Sequence, residues 1–126
     1  MSYTIRYDPE AQVIESKFQG DLRFGEIKDF ICQAAQLAEQ HGCSRFLTDY
    51  QEATLKISTM EIYQVPTLMR NAFASSALDI HRLKRALVVA KDLKDFRFYE
   101  TIMVNAGQST QVFVDNASAR KWLLAE

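Results

Sequence analysis

The chain has 126 residues, 48% apolar and 25% charged, with a formal net charge of −1. That length supports one hydrophobic core and not a second, so residues 1–126 read as a single domain. The near-neutral balance excludes the basic excess by which nucleic-acid binders hold phosphates, and apolar runs of about five residues are too short to span a membrane.

Met1-Ser2-Tyr3 leads straight into a strand pattern without a basic n-region or an apolar h-region, so no signal peptide and a cytoplasmic location are expected. In a reducing compartment Cys32 and Cys43 are expected as small hydrophobes rather than a disulfide. His41-Gly42-Cys43 hints at a metal, but the other histidine is the distant His81 and four-ligand spacing is absent. No metal and no cofactor are expected.

Tyr3, Ile5 and Tyr7 alternate with Thr4 and Arg6, as in a half-buried strand. Asp8-Pro9-Glu10-Ala11 is turn material. Val13 to Phe18 follows with Ile14, Ser16 and Phe18 on one face and Val13, Glu15 and Lys17 on the other. The two runs predict an antiparallel hairpin at a sheet edge, ended by Gly20-Asp21. Phe24, Ile27, Ile31, Ala34 and Ala38 then recur at helical spacing, with Gly42 as the stop. Arg45 to Tyr50 is the third strand.

Ser58-Thr59-Met60-Glu61 reads as a capping box that opens a helix running to about Leu78. Pro66 lies inside it, where a proline costs roughly 3 kcal/mol, so a kink or break near Val65 is expected. His81 to Arg85 is a basic run leading into Ala86-Leu87-Val88-Val89-Ala90, the clearest buried strand. Leu93 to Ala106 forms a further helix before Gly107. Thr110 to Val114 is a short β-branched strand; Asp115 or Asn116 caps a last helix carrying Ala119, Trp122 and Leu123. The order is β-β-α-β-α-β-α-β-α: an α/β domain with a five-stranded, mixed but mostly parallel sheet, right-handed crossovers and flanking helices.

That order resembles the SpoIIAA-like family, bacterial proteins related to the STAS domains of anti-sigma factor antagonists and, in fold, to CRAL-TRIO lipid-transfer domains. The resemblance is carried by the hairpin closing on Phe18-Gln19-Gly20, the Phe46-Leu47-Thr48-Asp49 strand, the Arg85-Ala86-Leu87-Val88-Val89 strand and the ending Phe113-Val114-Asp115 with Ala119-Arg120-Lys121-Trp122-Leu123. It implies a SpoIIAA-like α/β domain without enzymatic activity. The antagonist relatives use a phospho-switch in an Asp-Ser-Ser/Thr-Gly motif at the start of the helix after the third strand. The matching Ile57-Ser58-Thr59-Met60 keeps the hydroxyls of Ser58 and Thr59 and lacks the aspartate and the glycine.

Three sets of residues are candidates for function. Asp49, Lys91 and Asp115 should lie at the carboxyl ends of parallel strands, where open α/β sheets bind ligands. Asp115 is also a cap, and Asp49 is the least explained because it interrupts an apolar strand end. Ser58 or Thr59 could accept a phosphate at a helix N-terminus, although capping already accounts for Ser58. The third set is apolar. One middle helix presents Met60, Tyr63, Val65, Leu68, Met69 and Phe73; the next presents Phe96, Tyr99, Ile102 and Met103. Both faces exceed the roughly 100° stripe that covers one side of a sheet.

Such a surplus has three outlets: packing between the helices, a partner subunit such as a second copy in a homodimer, or a nonpolar ligand. A buried chain of about ten methylenes would gain roughly 8 kcal/mol. The leading expectation is therefore a non-enzymatic binding module holding a nonpolar or lipid-like molecule under the two middle helices, peripheral to a membrane surface through the His81–Arg85 run. The alternative is a STAS-type regulatory protein-interaction module. An enzyme using Asp49 and Lys91 is the outsider, since no histidine base, nucleophile elbow or phosphate loop accompanies them.

Overall fold

Two alternating strands at the start of the chain fold back on each other, and every later strand is reached through a helix. The computed structural model describes residues 3–90 and 94–125. Strands β1 (Tyr3–Asp8) and β2 (Val13–Leu22) pair antiparallel with Tyr3 opposite Phe18 and Asp8 opposite Val13. Asp8 Oδ1 accepts the N–H of Glu10 at 3.0 Å in the intervening turn. Helix α1 (Phe24–His41) ends on Gly42 in the left-handed region at φ 59. The Gly42 and Cys43 N–H groups then cover the carbonyls of Glu39 and Ala38. The chain continues as β3 (Arg45–Leu55), α2 (Thr59–Phe73), a single 3-10 turn at Ile80–Arg82, β4 (Lys84–Val88), α3 (Lys94–Asn105), β5 (Ser109–Phe113) and α4 (Asn116–Leu124).

Among the described residues there is one sheet, in the order β1-β2-β3-β4-β5, with only the first pair antiparallel. Each parallel strand is added on the same side of the previous one. Right-handed crossovers then place α1, α2 and α3 on one face of the sheet. Helix α4 follows the last strand and packs on the other face, over β3, β4 and β5. Two cores result. The larger joins Ile14, Phe18, Ile31, Phe46, Val65, Phe73, Leu87 and Met103 under the three helices. The smaller joins Val13, Leu47, Ala86, Val88, Ala119 and Leu123 under α4. The strict alternation of β2 and β4 divides their side chains between the two.

Helix α2 departs from expectation twice. The break expected near Val65 is absent, the helix being continuous through Pro66, and it stops at Phe73 rather than near Leu78. Ile62, Val65, Pro66, Met69 and Phe73 are all buried. Burial of about 1.5–3 kcal/mol per large apolar side chain outweighs the roughly 3 kcal/mol proline penalty. Beyond Phe73 the apolar rhythm lapses; Ser76 N–H bonds the Phe73 carbonyl and Ser76 Oγ accepts from Leu78, which turns the chain. Strand β3 is longer than expected, because its second half pairs with the end of β2 out to Leu22 and Leu55.

Candidate binding site

The apolar residues of α2 and α3 split into two groups. Val65, Met69, Phe73, Phe96, Tyr99 and Met103 are buried in the larger core. Phe73 meets Phe46 edge-on with ring centroids 6.3 Å apart, and Phe96 lies 5.1 Å from Tyr50. Leu68 and Ile102 are half-buried at the rim. Packing between elements thus absorbs most of the surplus that the sequence displays. Exposed are Met60 (70%) and Tyr63 (54%) on α2 and Val104 (51%) on α3. Tyr63 rests edge-on against Phe98 of α3 with centroids 5.8 Å apart.

The same end of α2 carries the candidate phosphoacceptors. Ser58 Oγ accepts the N–H of Glu61 at 3.1 Å, and Glu61 Oε1 accepts the N–H of Ser58 at 2.9 Å. Ser58 is therefore the helix cap. Its hydroxyl and that of the neighbouring Thr59 lie on an exposed turn beside Met60.

Beneath the helices sits a residue that pattern reading passed over. Arg85 is only 4% exposed. It shares the helix-facing side of β4 with Leu87, while Lys84 and Ala86 point to α4. Its Nη2 donates to the Tyr99 hydroxyl at 3.1 Å, and the guanidinium lies 5.8 Å from the Tyr99 ring centroid. Its Nη1 is buried without a hydrogen-bond partner, and no ion pair forms on it among the described residues. Burial works against the charge, and the Tyr99 and Tyr50 phenols outweigh it, so the guanidinium titrates above its ordinary value and stays charged. Burial likewise pushes the Tyr50 phenol far above its usual range. A void of about 10 Å³ adjoins Arg85, lined by Phe30, Ile31 and Ala34 of α1, Phe46 and Thr48 of β3, and Met69 and Phe73 of α2.

The signal for Arg85 was in the alternation. Starting the strand two residues earlier than Ala86 puts Arg85 in phase with Leu87 and Val89, both fully buried. The basic run is consequently dispersed. His81 and Arg82 stay exposed, Lys84 Nζ bonds the Trp122 carbonyl at 2.7 Å and sits over its ring, and Arg85 turns inward.

Asp49 faces the other side of the sheet, in an open groove of about 180 Å³ beside α4 with Thr4, Arg6, Glu15, Lys17 and Asn116. Its Oδ1 accepts the N–H of Gln51 at 2.8 Å. The charges around it are matched within the chain. Glu15 pairs with Arg6 at 3.2 Å and with Arg120 at 2.8 Å, and Lys17 pairs with Glu52 at 2.6 Å. Asp115 caps α4, accepting from Ser118 N–H at 2.7 Å. Lys91 lies outside the described residues. Among the described residues no three His, Cys, Asp or Glu side chains gather into a metal site, and no helix is long and apolar enough to cross a membrane.

A crystal structure of an uncharacterized protein of the DUF3478 family from Shewanella loihica, described as having a SpoIIAA-like fold, superimposes with a TM-score of 0.61 over 97% of this chain and 92% of that one, at 15% identity. The fold is SpoIIAA-like. It accounts for the edge hairpin, the three crossover helices on one face and the closing helix on the other. No family model and no curated protein matches the sequence. Within the SpoIIAA-like fold, the candidate surfaces are the first turns of α2 with Met60 and Tyr63, and the Arg85 void at the seam of α1 and α2.

Proposed function

We propose that the protein is a non-enzymatic interaction module of STAS type that receives a protein partner on the first turns of α2. The observation that carries this reading is the exposure of Met60 and Tyr63 on a helix whose other large apolar side chains are covered. Large aromatic and methionine side chains beside polar ones are the composition of an interface centre. The exposed hydroxyls of Ser58 and Thr59 flank the patch, so a modification there would alter charge at the rim of the contact.

Site-specific photo-crosslinking tests it, with the reactive residue placed at position 63 of α2 or, as a control, at position 36 on the exposed face of α1. A partner joined at 63 and not at 36, whose purified complex weakens about tenfold or more with Met60→Ser/Tyr63→Ser, supports the reading. Equal crosslinking at both positions, or unchanged affinity in the double variant, refutes it.

A second reading is a nonpolar ligand held beneath α2. The orphaned Nη1 of Arg85 favours it, because a buried donor without a partner is a free binding valence.

A further inference from the structure

We propose that Arg85 is the receptor for the carboxylate of an apolar monoacid that enters at the seam of α1 and α2; this rests on the ligand reading of that layer. A guanidinium enclosed by Phe30, Ile31, Phe46, Met69 and Phe73 has no counter-ion among the described residues, and its desolvation is a cost. An apolar side chain of similar size, such as methionine, would avoid that cost. The phenol of Tyr99 supplies a hydrogen bond on Nη2 but no compensating charge. Nη1 is the unpartnered end, and Arg85 lines a void at this seam.

The ligand class follows from stoichiometry and lining. One cation balances one negative charge. A phosphate monoester, at about −1.5 to −2, would leave a surplus buried charge. A carboxylate carries −1 and is planar, matching the fork of guanidinium N–H groups. Apart from Arg85 itself the lining is apolar except for Thr48, so the rest of the molecule is hydrocarbon rather than sugar or peptide.

The void of about 10 Å³ holds no more than about one water, so the hydrocarbon tail is admitted by parting α1 from α2. The residues at the seam suit that movement. Ala34 and Ala35 make the α1 side shallow, and Met69 is a flexible filler on the α2 side. Pro66, one turn before Met69, has already removed a helix hydrogen bond.

The test compares decanoate with decanol, its neutral counterpart, on the full chain and on Arg85→Met, by calorimetric titration below the micelle concentration. The wild type should bind decanoate at least about tenfold more tightly than decanol. Arg85→Met should bind the two alike. Equal wild-type affinities would overturn the role of Arg85 while leaving the ligand reading standing, and binding of neither would overturn both. If Arg85→Met does not fold, the Nε–H resonance of Arg85 in the wild type decides. Movement with decanoate and not with equimolar acetate supports the carboxylate-plus-tail assignment. No movement, or equal movement with acetate, refutes it.

Discussion

Asp49 Oδ1 accepts the N–H of Gln51 at 2.8 Å at the point where β3 slips against β2. Between the pairs Lys17–Asp49 and Gln19–Glu52, β2 contributes Phe18 alone and β3 contributes both Tyr50 and Gln51. A bulge of this kind leaves ladder groups unpaired, and the carboxylate takes up one of them. The polar residue that interrupts an apolar strand end is thus tied to the register change. Asp49→Ala should lose about 1–2 kcal/mol of stability in urea unfolding, and Asp49→Asn less, since an amide oxygen still accepts. Unchanged stability in Asp49→Ala would return Asp49 to the list of residues without a structural task.

Truncation along α2 and α3 should divide sharply by depth. Phe73→Ala and Met103→Ala remove side chains from a closed core and should each cost about 2–5 kcal/mol. Met60→Ala and Tyr63→Ala should stay within about 0.5 kcal/mol of the wild type. Thermal and denaturant unfolding of the four variants measures this. Comparable losses in all four would mean that Met60 and Tyr63 are covered in solution, for instance by a second copy of the chain.

These two cases show which parts of the molecule local chemistry reveals. The Gly42 stop, the Ser58–Glu61 box, the Asp115 cap and the division of β2 between two faces each depend on a few adjacent residues, and all are legible as sequence. The β3 bulge depends on register between two distant strands, which no local pattern encodes. Continuity of α2 through Pro66 is a tertiary override, decided by burial of five side chains rather than by propensity. The burial of Arg85 was obscured because a basic run invites a surface reading, even though strand phase placed it inward. A wide apolar face was visible, but whether packing, a partner or a ligand covers it depends on how far neighbouring helices lie from one another.

Ser58 separates capping from switching. Ser58→Ala should cost about 1 kcal/mol, and Ser58→Asp should leave stability nearly unchanged because aspartate also caps and suits a helix N-terminus. Any effect of Ser58→Asp on partner affinity or oligomeric state would then be a charge effect on the interface rather than unfolding. If affinity and oligomeric state are the same in wild type, Ser58→Ala and Ser58→Asp, a phospho-switch at this position is ruled out.

Acid should loosen the closing helix. The bonds from Ser118 N–H and Oγ to the Asp115 carboxylate hold its pKa below the ordinary aspartate value. A group depressed in the folded state stabilises it above the unfolded pKa, and that contribution is lost as pH falls through the folded one. The loss should therefore begin as the pH falls into the ordinary aspartate range and continue below it. Asp115→Asn keeps a capping acceptor without the titration, so its stability should vary less with pH over that window. Parallel profiles for the two proteins in urea unfolding would remove Asp115 from the acid response.

One outward donor on the edge strand β5 is covered from within the chain. Glu100 of α3 places Oε2 on the N–H of Val112 at 2.5 Å, and its Oε1 lies 3.3 Å from Arg97 Nη1. Val112 belongs to the last strand of the sheet, so this N–H would otherwise be offered to any passing strand. Glu100→Ala should lose about 1.5–3 kcal/mol for a charged hydrogen bond and leave the donor free. Glu100→Gln should retain much of the cover, because its carbonyl oxygen still accepts. Sedimentation velocity across a concentration series should then show more self-association for Glu100→Ala than for either Glu100→Gln or the wild type. Identical sedimentation of all three would mean that the short length of β5, rather than the carboxylate, protects this edge.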